Sequence, residues 1–235
     1  MLHSVITEHI ARVRQQVEQA CLKFGRNPSE VNVLAVSKTQ TAEAIRIAAT
    51  TGQRAFGENY LQEALQKQQA LADFPELEWH FIGAVQSNKT REIAENFAWL
   101  HTLARQKIAQ RLNDQRPTHL PRLKVLIQVN ISHEASKAGV APADVLTFAK
   151  QLLLLPRLEV CGLMCIPKAS EDFAEQRQAF AALAVLQAQL KQALPSLNLS
   201  TLSMGMSGDL EAAVAEGSTL VRIGTAIFGA REAKV

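Results

Sequence analysis

A lysine closes the first apolar run of the chain, where an amine could do chemistry. The segment VLAVSKTQ covers residues 33–40 and places Lys38 behind residues typical of a buried strand. An ammonium group is costly to bury, so Lys38 reaches solvent, pairs with a carboxylate or serves as a reactive amine. For a lysine considered alone, the surface position is the usual outcome. The rest of the chain has to decide between these interpretations.

An arginine interrupts the last apolar run, LVRIGTAIFGAR, at residues 220–231. Arg222 has apolar neighbours on both sides, where an unpaired guanidinium would be expensive, so we expect this group to have a partner. Gly224 and Thr225 follow at the predicted strand end. A glycine there lets a ligand approach the backbone, and free N–H groups in such a turn can hold an anion.

A second turn precedes this run in LSMGMSGDLEAAVAEG, residues 202–217. Ser207 has two interpretations: its hydroxyl donates to a phosphate, or it caps the helix that starts near Asp209. A cap is the commoner role of a lone serine in this context. Taken together, the two turns and the strand arginine favour a phosphorylated ligand, since barrel enzymes often bind phosphate after strands seven and eight.

A lysine amine beside a phosphate site is compatible with two kinds of ligand. One is a phosphosugar aldehyde or ketone, as in a class I aldolase, and the other is pyridoxal 5'-phosphate (PLP); both form Schiff bases with lysine. An arginine facing the ring nitrogen would keep a pyridine unprotonated, whereas many PLP enzymes place a carboxylate there. An aldolase has no need of that arginine.

Apolar periodicity predicts the elements that position these residues. An amphipathic helix comes first, with its apolar face formed by Ile6, Ile10, Val13, Val17, Cys21 and Phe24. Eight strand-like runs follow at 31–37, 54–59, 79–85, 99–103, 124–131, 160–166, 199–205 and 220–228. Helical patterns separate them at 41–51, 60–72, 88–97, 104–114, 142–154, 173–194 and 209–216.

Strands that alternate with helices indicate βαβ units, and eight units close a barrel. We therefore predict an α/β fold in which residues 1–235 form a single (β/α)8 TIM-type barrel domain with an extra N-terminal helix; a doubly wound open sheet is the alternative. Period-two alternation puts Lys38 on one face with Leu34 and Val36, which directs it towards the mouth of the barrel.

Composition excludes several classes of protein. A net charge of +3 without a basic block interleaved with aromatic residues does not indicate a nucleic-acid surface. No apolar run of about 18 residues predicts a membrane span. The N-terminal segment lacks the features of a signal peptide, so we expect a soluble, cytoplasmic protein. Cys21, Cys161 and Cys165 lack metal-site spacing and are interpreted as small core residues.

The sequence resembles the pyridoxal phosphate homeostasis proteins, also called the YggS/PROSC group, over nearly its whole length. Family members often have proline where this chain has Ala84, which affects only a local turn. Seven ordered blocks carry the resemblance: LAVSKTQ (34–40), FGENYLQEA (56–64), WHFIGAVQSNK (79–89), VLIQVNIS (125–132), GLMCIP (162–167), LSMGMSGDLEAAVAEGST (202–219) and VRIGTAIFGAR (221–231).

The resemblance implies a barrel related to the PLP domain of alanine racemases and ornithine decarboxylases. It implies that Lys38 forms the internal aldimine and that Arg222 faces the pyridine nitrogen. The phosphate would be held by Ser207, Gly224 and Thr225.

Four further residues lie in the shared blocks. Asn59 touches the cofactor or begins the next helix, and Met164 packs on the cofactor ring or belongs to the core. We interpret His80 as a hydrogen-bonded structural residue. Glu58 is either a charge partner within the mouth or a solvated residue at a helix start.

The resemblance favours a carrier over a catalyst. Racemases and decarboxylases need a positioned acid or base opposite the lysine, and the sequence ends soon after the eighth strand, which leaves no residues for the second domain of a racemase. We expect a non-catalytic, monomeric PLP-binding protein in vitamin B6 homeostasis that passes PLP to apo-enzymes. The alternative is a small PLP-dependent racemase or lyase. A loop around Ser136, Lys137 and Gly139 either covers the site or is simply solvated.

Overall fold

The computed structural model describes residues 2–132 and 138–229. Ser136 and Lys137 of the predicted cover lie outside the described residues. Within those ranges, no helix is both long and apolar enough to cross a membrane.

Eight parallel strands form a closed barrel in which each strand pairs with the next and the last pairs with the first. The strands are β1 (Asn32–Val36), β2 (Ala55–Glu58), β3 (Glu78–Phe81), β4 (Trp99–Leu103), β5 (Leu123–Gln128), β6 (Leu158–Met164), β7 (Thr201–Ser203) and β8 (Leu220–Ile223). The predicted (β/α)8 barrel is therefore confirmed. Pairing of β8 with β1 rules out the open-sheet alternative.

The described part of the chain contains nine α-helices, which surround the strands or follow them. They are α1 (Leu2–Lys23), α2 (Ala42–Thr50), α3 (Leu61–Ala70), α4 (Thr90–Asn96), α5 (Gln106–Gln115), α6 (Val145–Leu152), α7 (Phe173–Ala193), α8 (Leu210–Ala215) and α9 (Thr225–Phe228). Short 3-10 helices occur at Pro28–Glu30, Ser87–Lys89 and Pro142–Asp144.

The extra N-terminal helix is confirmed, and its apolar stripe is buried. Ile6, Ile10 and Val13 pack in one cluster with Ile45 of α2 and Ile227 of α9. Burial of this stripe removes apolar surface from water and fixes α1 against the outside of the barrel. The three cysteines are buried too, as expected of core residues.

Several predicted strands extend too far: β3 ends at Phe81 instead of residue 85, and β5 ends at Gln128 instead of residue 131. β7 covers only Thr201–Ser203, and β8 ends at Ile223, after which Thr225–Phe228 forms α9 instead of more strand. The N–H of Phe228 donates to the carbonyl of Gly224 at 2.9 Å, which closes the helical turn. Apolar residues there fit a strand and a short buried helix equally well, so the pattern alone could not place the boundary.

A β-bulge in β6 is followed by a glycine that packs directly against the neighbouring strand β7. Val125 pairs with Val160 and Leu126 with Gly162, so Cys161 is the extra residue. Gly162 has φ +152°, and a Cβ on it would overlap the carbonyl oxygen of Thr201 on β7. Glycine is thus required for the β6–β7 contact.

We predict that Gly162→Ala lowers the free energy of unfolding by more than about 2 kcal/mol, because the added methyl group must displace the backbone of β7. Urea denaturation measures the change. Gly25→Ala is the matched control: Gly25 has φ +66°, but a Cβ on it meets nothing within 4 Å. It should cost about 1 kcal/mol from backbone strain alone. Equal costs for the two variants would contradict the close-contact explanation.

Candidate functional site

Lys38 lies at the C-terminal rim of the barrel, in the turn that follows β1. The turn is closed by a hydrogen bond from the N–H of Gln40 to the carbonyl of Ser37, 3.0 Å long. Lys38 itself is half-buried. The next residue, Thr39, has φ +66°, which is unusual for a β-branched residue and indicates a strained turn held in place by its surroundings.

A second lysine, buried behind this turn, supplies those surroundings. The ammonium group of Lys67 on α3 donates to the carbonyl of Ser37 at 2.7 Å, to Glu58 at 2.8 Å and to Glu63 at 2.5 Å. Glu63 in turn accepts the N–H of Thr39 at 2.5 Å. Lys67 therefore holds the backbone on both sides of Lys38, once directly and once through Glu63.

Glu58 is the buried carboxylate of this cluster. Its side chain has no solvent exposure and accepts the Ser37 hydroxyl at 2.6 Å in addition to Lys67. Burial raises the pKa of Glu58, while the nearby ammonium of Lys67 opposes that shift. Glu58 is therefore a charge partner and not a solvated residue, but its cation Lys67 belongs to α3, on the helix side of the strand, and not to the mouth of the barrel.

Sequence reasoning missed Lys67. Its signal was its position: it follows Leu61 and Ala64 at steps of three on the buried face of α3. A lysine on a buried helix face needs a charged partner. The many polar residues of α3 make the helix look solvated, however, and a lysine among them is easily taken for a surface residue.

Arg222 has the partners that its position demanded. One nitrogen of its guanidinium donates to the carbonyl and hydroxyl oxygens of Ser203 at 2.6 and 2.8 Å, and the other donates to the carbonyl of Cys165 at 2.9 Å. The side chain is buried inside the barrel, and burial lowers the pKa of Arg222. These contacts tie β8 to the ends of β6 and β7 and hold the guanidinium below the rim.

The two predicted phosphate turns lie side by side on the rim. Ser207 and Thr225 are exposed, and a Cβ on Gly224 would come within 3.3 Å of the carbonyl oxygen of Val36, at the end of the strand that leads to Lys38. Hydrogen bonding in α9 begins with the N–H of Ile227, so the preceding amides have no acceptor within the helix. Exposed hydroxyls and such amides suit a phosphate.

The cap interpretation of Ser207 is wrong. The N-cap of α8 is Asp209, whose carboxylate accepts the N–H of Met206 at 2.6 Å. That bond closes the turn and leaves Ser207 at its tip.

Asn59 also fits a ligand better than a helix cap. The N-cap of α3 is Tyr60, and the Oδ1 atom of Asn59 is buried without a hydrogen-bond partner among the described residues. Met164, by contrast, is buried inside the barrel with Leu126 and Cys161, which is the core arrangement. His80 is a buried, hydrogen-bonded residue, as predicted.

The rim thus presents an amine, an anion-binding pair of turns and a buried guanidinium below them, on a barrel of the alanine racemase type. Residues 9–232 match the family model of the alanine racemase N-terminal domain. An alanine racemase from Corynebacterium glutamicum shares the fold with a TM-score of 0.71 at 18% identity, over 99% of this chain and 63% of the racemase.

Two nearer relatives specify the family. The pyridoxal phosphate homeostasis protein of Pseudomonas aeruginosa is 56% identical over 229 residues, which cover 97% of each chain. PipY of Synechococcus elongatus PCC7942, solved with PLP bound, is 40% identical with a TM-score of 0.84 and covers 95% of this chain and 100% of PipY. The chain belongs to the pyridoxal phosphate homeostasis protein family, which confirms the resemblance in the sequence.

We predict that Lys67→Met lowers the free energy of unfolding by about 3–5 kcal/mol, because it leaves the buried Glu58 carboxylate without its cation. Urea denaturation measures this loss. Adding Glu58→Gln to Lys67→Met should restore most of it. Lys23→Met, which removes an exposed ion pair with Glu211, is the control and should change stability by less than about 1 kcal/mol. A Lys67→Met protein as stable as the Lys23→Met protein would refute the role of the cluster.

Proposed function

We propose that this protein binds PLP through Lys38 and serves intracellular vitamin B6 homeostasis as a carrier or buffer. The observation that carries the proposal is the position of Lys38, held at the barrel rim next to two anion-binding turns. The relatives support it, since PipY was solved with PLP bound and the Pseudomonas aeruginosa protein is named for PLP homeostasis.

Each residue of the site has a task that follows from its chemistry. PLP supplies an aldehyde that reacts reversibly with amines. The amine of Lys38 binds that aldehyde as a Schiff base, while Ser207, Gly224 and Thr225 hold the phosphate. Arg222 donates to the ring nitrogen. Asn59 offers its buried amide oxygen to a polar group of the ligand.

The proposal includes a non-catalytic role. Among the described residues, the Arg222 guanidinium donates its hydrogen bonds to carbonyl and hydroxyl oxygens. An arginine does not protonate a pyridine, so carbanion chemistry at the site has a weak electron sink. We further propose that residues 1–235 form one PLP-binding domain, that the protein is a cytoplasmic monomer, and that its partners are apo PLP-dependent enzymes.

We predict that purified protein incubated with PLP and then dialysed keeps a visible absorption band, and that Lys38→Ala loses it because the amine is gone. Borohydride reduction followed by peptide mapping should place the label on Lys38. The control is Lys191→Ala, an exposed lysine of α7, which should keep the band. A band that survives Lys38→Ala, with label on another lysine, would overturn the assignment.

The non-catalytic role is tested by turnover. The PLP-loaded protein should fail to racemise or decarboxylate common amino acids at about 1 per second or faster, the range of ordinary enzymes. Turnover in that range would identify a small PLP enzyme instead.

We predict that Ser207→Ala and Thr225→Val each weaken PLP binding about tenfold, since each removes one hydrogen bond to a charged group. Pyridoxal, which lacks the phosphate, should bind to the wild type and to both variants equally. Titration followed by absorbance compares the two ligands. If both variants weaken pyridoxal as much as PLP, these hydroxyls do not contact the phosphate.

A further inference from the structure

A line of buried polar side chains crosses the barrel interior beneath Arg222. The Ser203 hydroxyl that accepts from Arg222 lies 3.0 Å from Nδ1 of His101. Nε2 of His101 lies 2.9 Å from Nδ1 of His80, and Nε2 of His80 lies 2.9 Å from a carboxylate oxygen of Glu78. Side chains from β8, β7, β4 and β3 thus form one continuous hydrogen-bonded chain.

The two ends of this chain fix its direction. A guanidinium can only donate and an ionised carboxylate can only accept. A neutral His80 that donates from Nε2 to Glu78 can only accept at Nδ1, so it accepts a hydrogen bond from the Nε2 proton of His101, and Nδ1 of His101 then accepts the hydrogen of the Ser203 hydroxyl. His101 then carries its proton on Nε2 and donates to His80, which carries its proton on Nε2 and donates to Glu78. The opposite order would aim a bare ring nitrogen of His80 at a carboxylate.

The surroundings keep both imidazoles in this state. The side chains of His80 and His101 are fully buried, and burial lowers the pKa of each ring, with that of His101 well below its ordinary value. The ring of Trp99 stacks on His80 at 5.3 Å with an interplanar angle of 6°, and it meets His101 edge-on. The lowered pKa values favour the neutral form of both rings, and the stacked Trp99 restricts the orientation of the His80 ring.

The far end of the chain is open. Glu78 is half-buried on the wall of a cleft of about 1130 Å³ at the N-terminal end of the barrel, opposite the Lys38 rim. Its hydrogen bond from His80 lowers the pKa of Glu78, and Lys124 lies 3.9 Å from its second oxygen. A negative charge is thus held at the opposite end of the barrel from the proposed cofactor site.

We propose that Glu78, His80, His101 and Ser203 are positioning residues that orient the Arg222 guanidinium and supply its counter-charge through a one-way hydrogen-bond chain. Charge-assisted bonds at both ends polarise the neutral groups between them, so each link strengthens the next. The carboxylate of Asp209 also attracts this guanidinium, so the hydrogen-bond chain adds a second, more distant negative charge from Glu78. Any effect of these residues on the PLP ring rests on the proposed function, whereas the hydrogen-bond chain from Arg222 to Glu78 is independent of it.

The first experiment tests the chain in the PLP-free protein. A long-range ¹H–¹⁵N correlation spectrum at neutral pH distinguishes the two tautomers of each histidine. We expect both His80 and His101 to be Nε2–H tautomers with slowly exchanging ring protons, whereas the exposed ring of His119 provides a solvent-exchanging reference. An Nδ1–H tautomer or a doubly protonated ring at either position would overturn the proposed direction.

The second experiment removes the counter-charge and keeps the shape. Glu78→Gln should move the His80 Nε2–H resonance upfield in the PLP-free protein and weaken PLP binding about fivefold, as a charge-assisted bond becomes a neutral one. Glu76→Gln, an exposed residue near the same cleft, is the matched control and should change neither quantity. Glu78→Asp should restore part of the binding.

The outcomes separate the two proposals. If the wild-type protein fails to retain PLP while both histidines are Nε2–H tautomers, the proposed function is refuted and the proposed hydrogen-bond chain is supported. If PLP binds and Glu78→Gln leaves both the His80 resonance and the affinity unchanged, the counter-charge role is refuted.

Discussion

The candidate site depends on the buried ion pairs and hydrogen bond of the Lys67 ammonium group. This group joins the carboxylates of Glu58 and Glu63 to the carbonyl of Ser37, and through Glu63 it reaches the strained Thr39. Without this cation, the carboxylates of Glu58 and Glu63 would face each other, and the carbonyl of Ser37 would lose its hydrogen bond from the ammonium group. A buried pair of this kind adds little net stability, but breaking it is expensive, so the geometry of the turn is strongly enforced.

The two proposed functional cations are held in different ways. Lys38 lies on the rim in a turn fixed by other charges, and Arg222 lies below it, held by oxygens of Ser203 and Cys165. A reactive amine needs access to its ligand, while a guanidinium that donates a hydrogen bond to a ring nitrogen needs a fixed orientation. The barrel provides both because strand ends form the open rim and strand interiors form a packed floor.

The fold could be predicted from the sequence because its eight apolar runs alternate with amphipathic helices, and each run is short enough to be a strand. The sequence indicates Lys38, Gly224 and Thr225 because they lie in or next to apolar runs that a barrel brings together, whereas the phosphate role of Ser207 follows from the family resemblance. Strand eight was extended too far because the apolar residues of Thr225–Phe228 suit either element. Lys67 was missed because a lysine among polar helical residues looks exposed. The His80–His101 contact depends on the pairing of β3 with β4, which no single strand pattern reveals.

The most direct measurement of the central claim is a crystal structure of the protein loaded with PLP. The account predicts continuous electron density from the side-chain nitrogen of Lys38 to the cofactor. It also predicts a phosphate within hydrogen-bond distance of Ser207, Gly224 and Thr225, and the Arg222 guanidinium at the ring nitrogen. PLP joined to a different lysine, or a phosphate on the far side of the rim from β7 and β8, would contradict it.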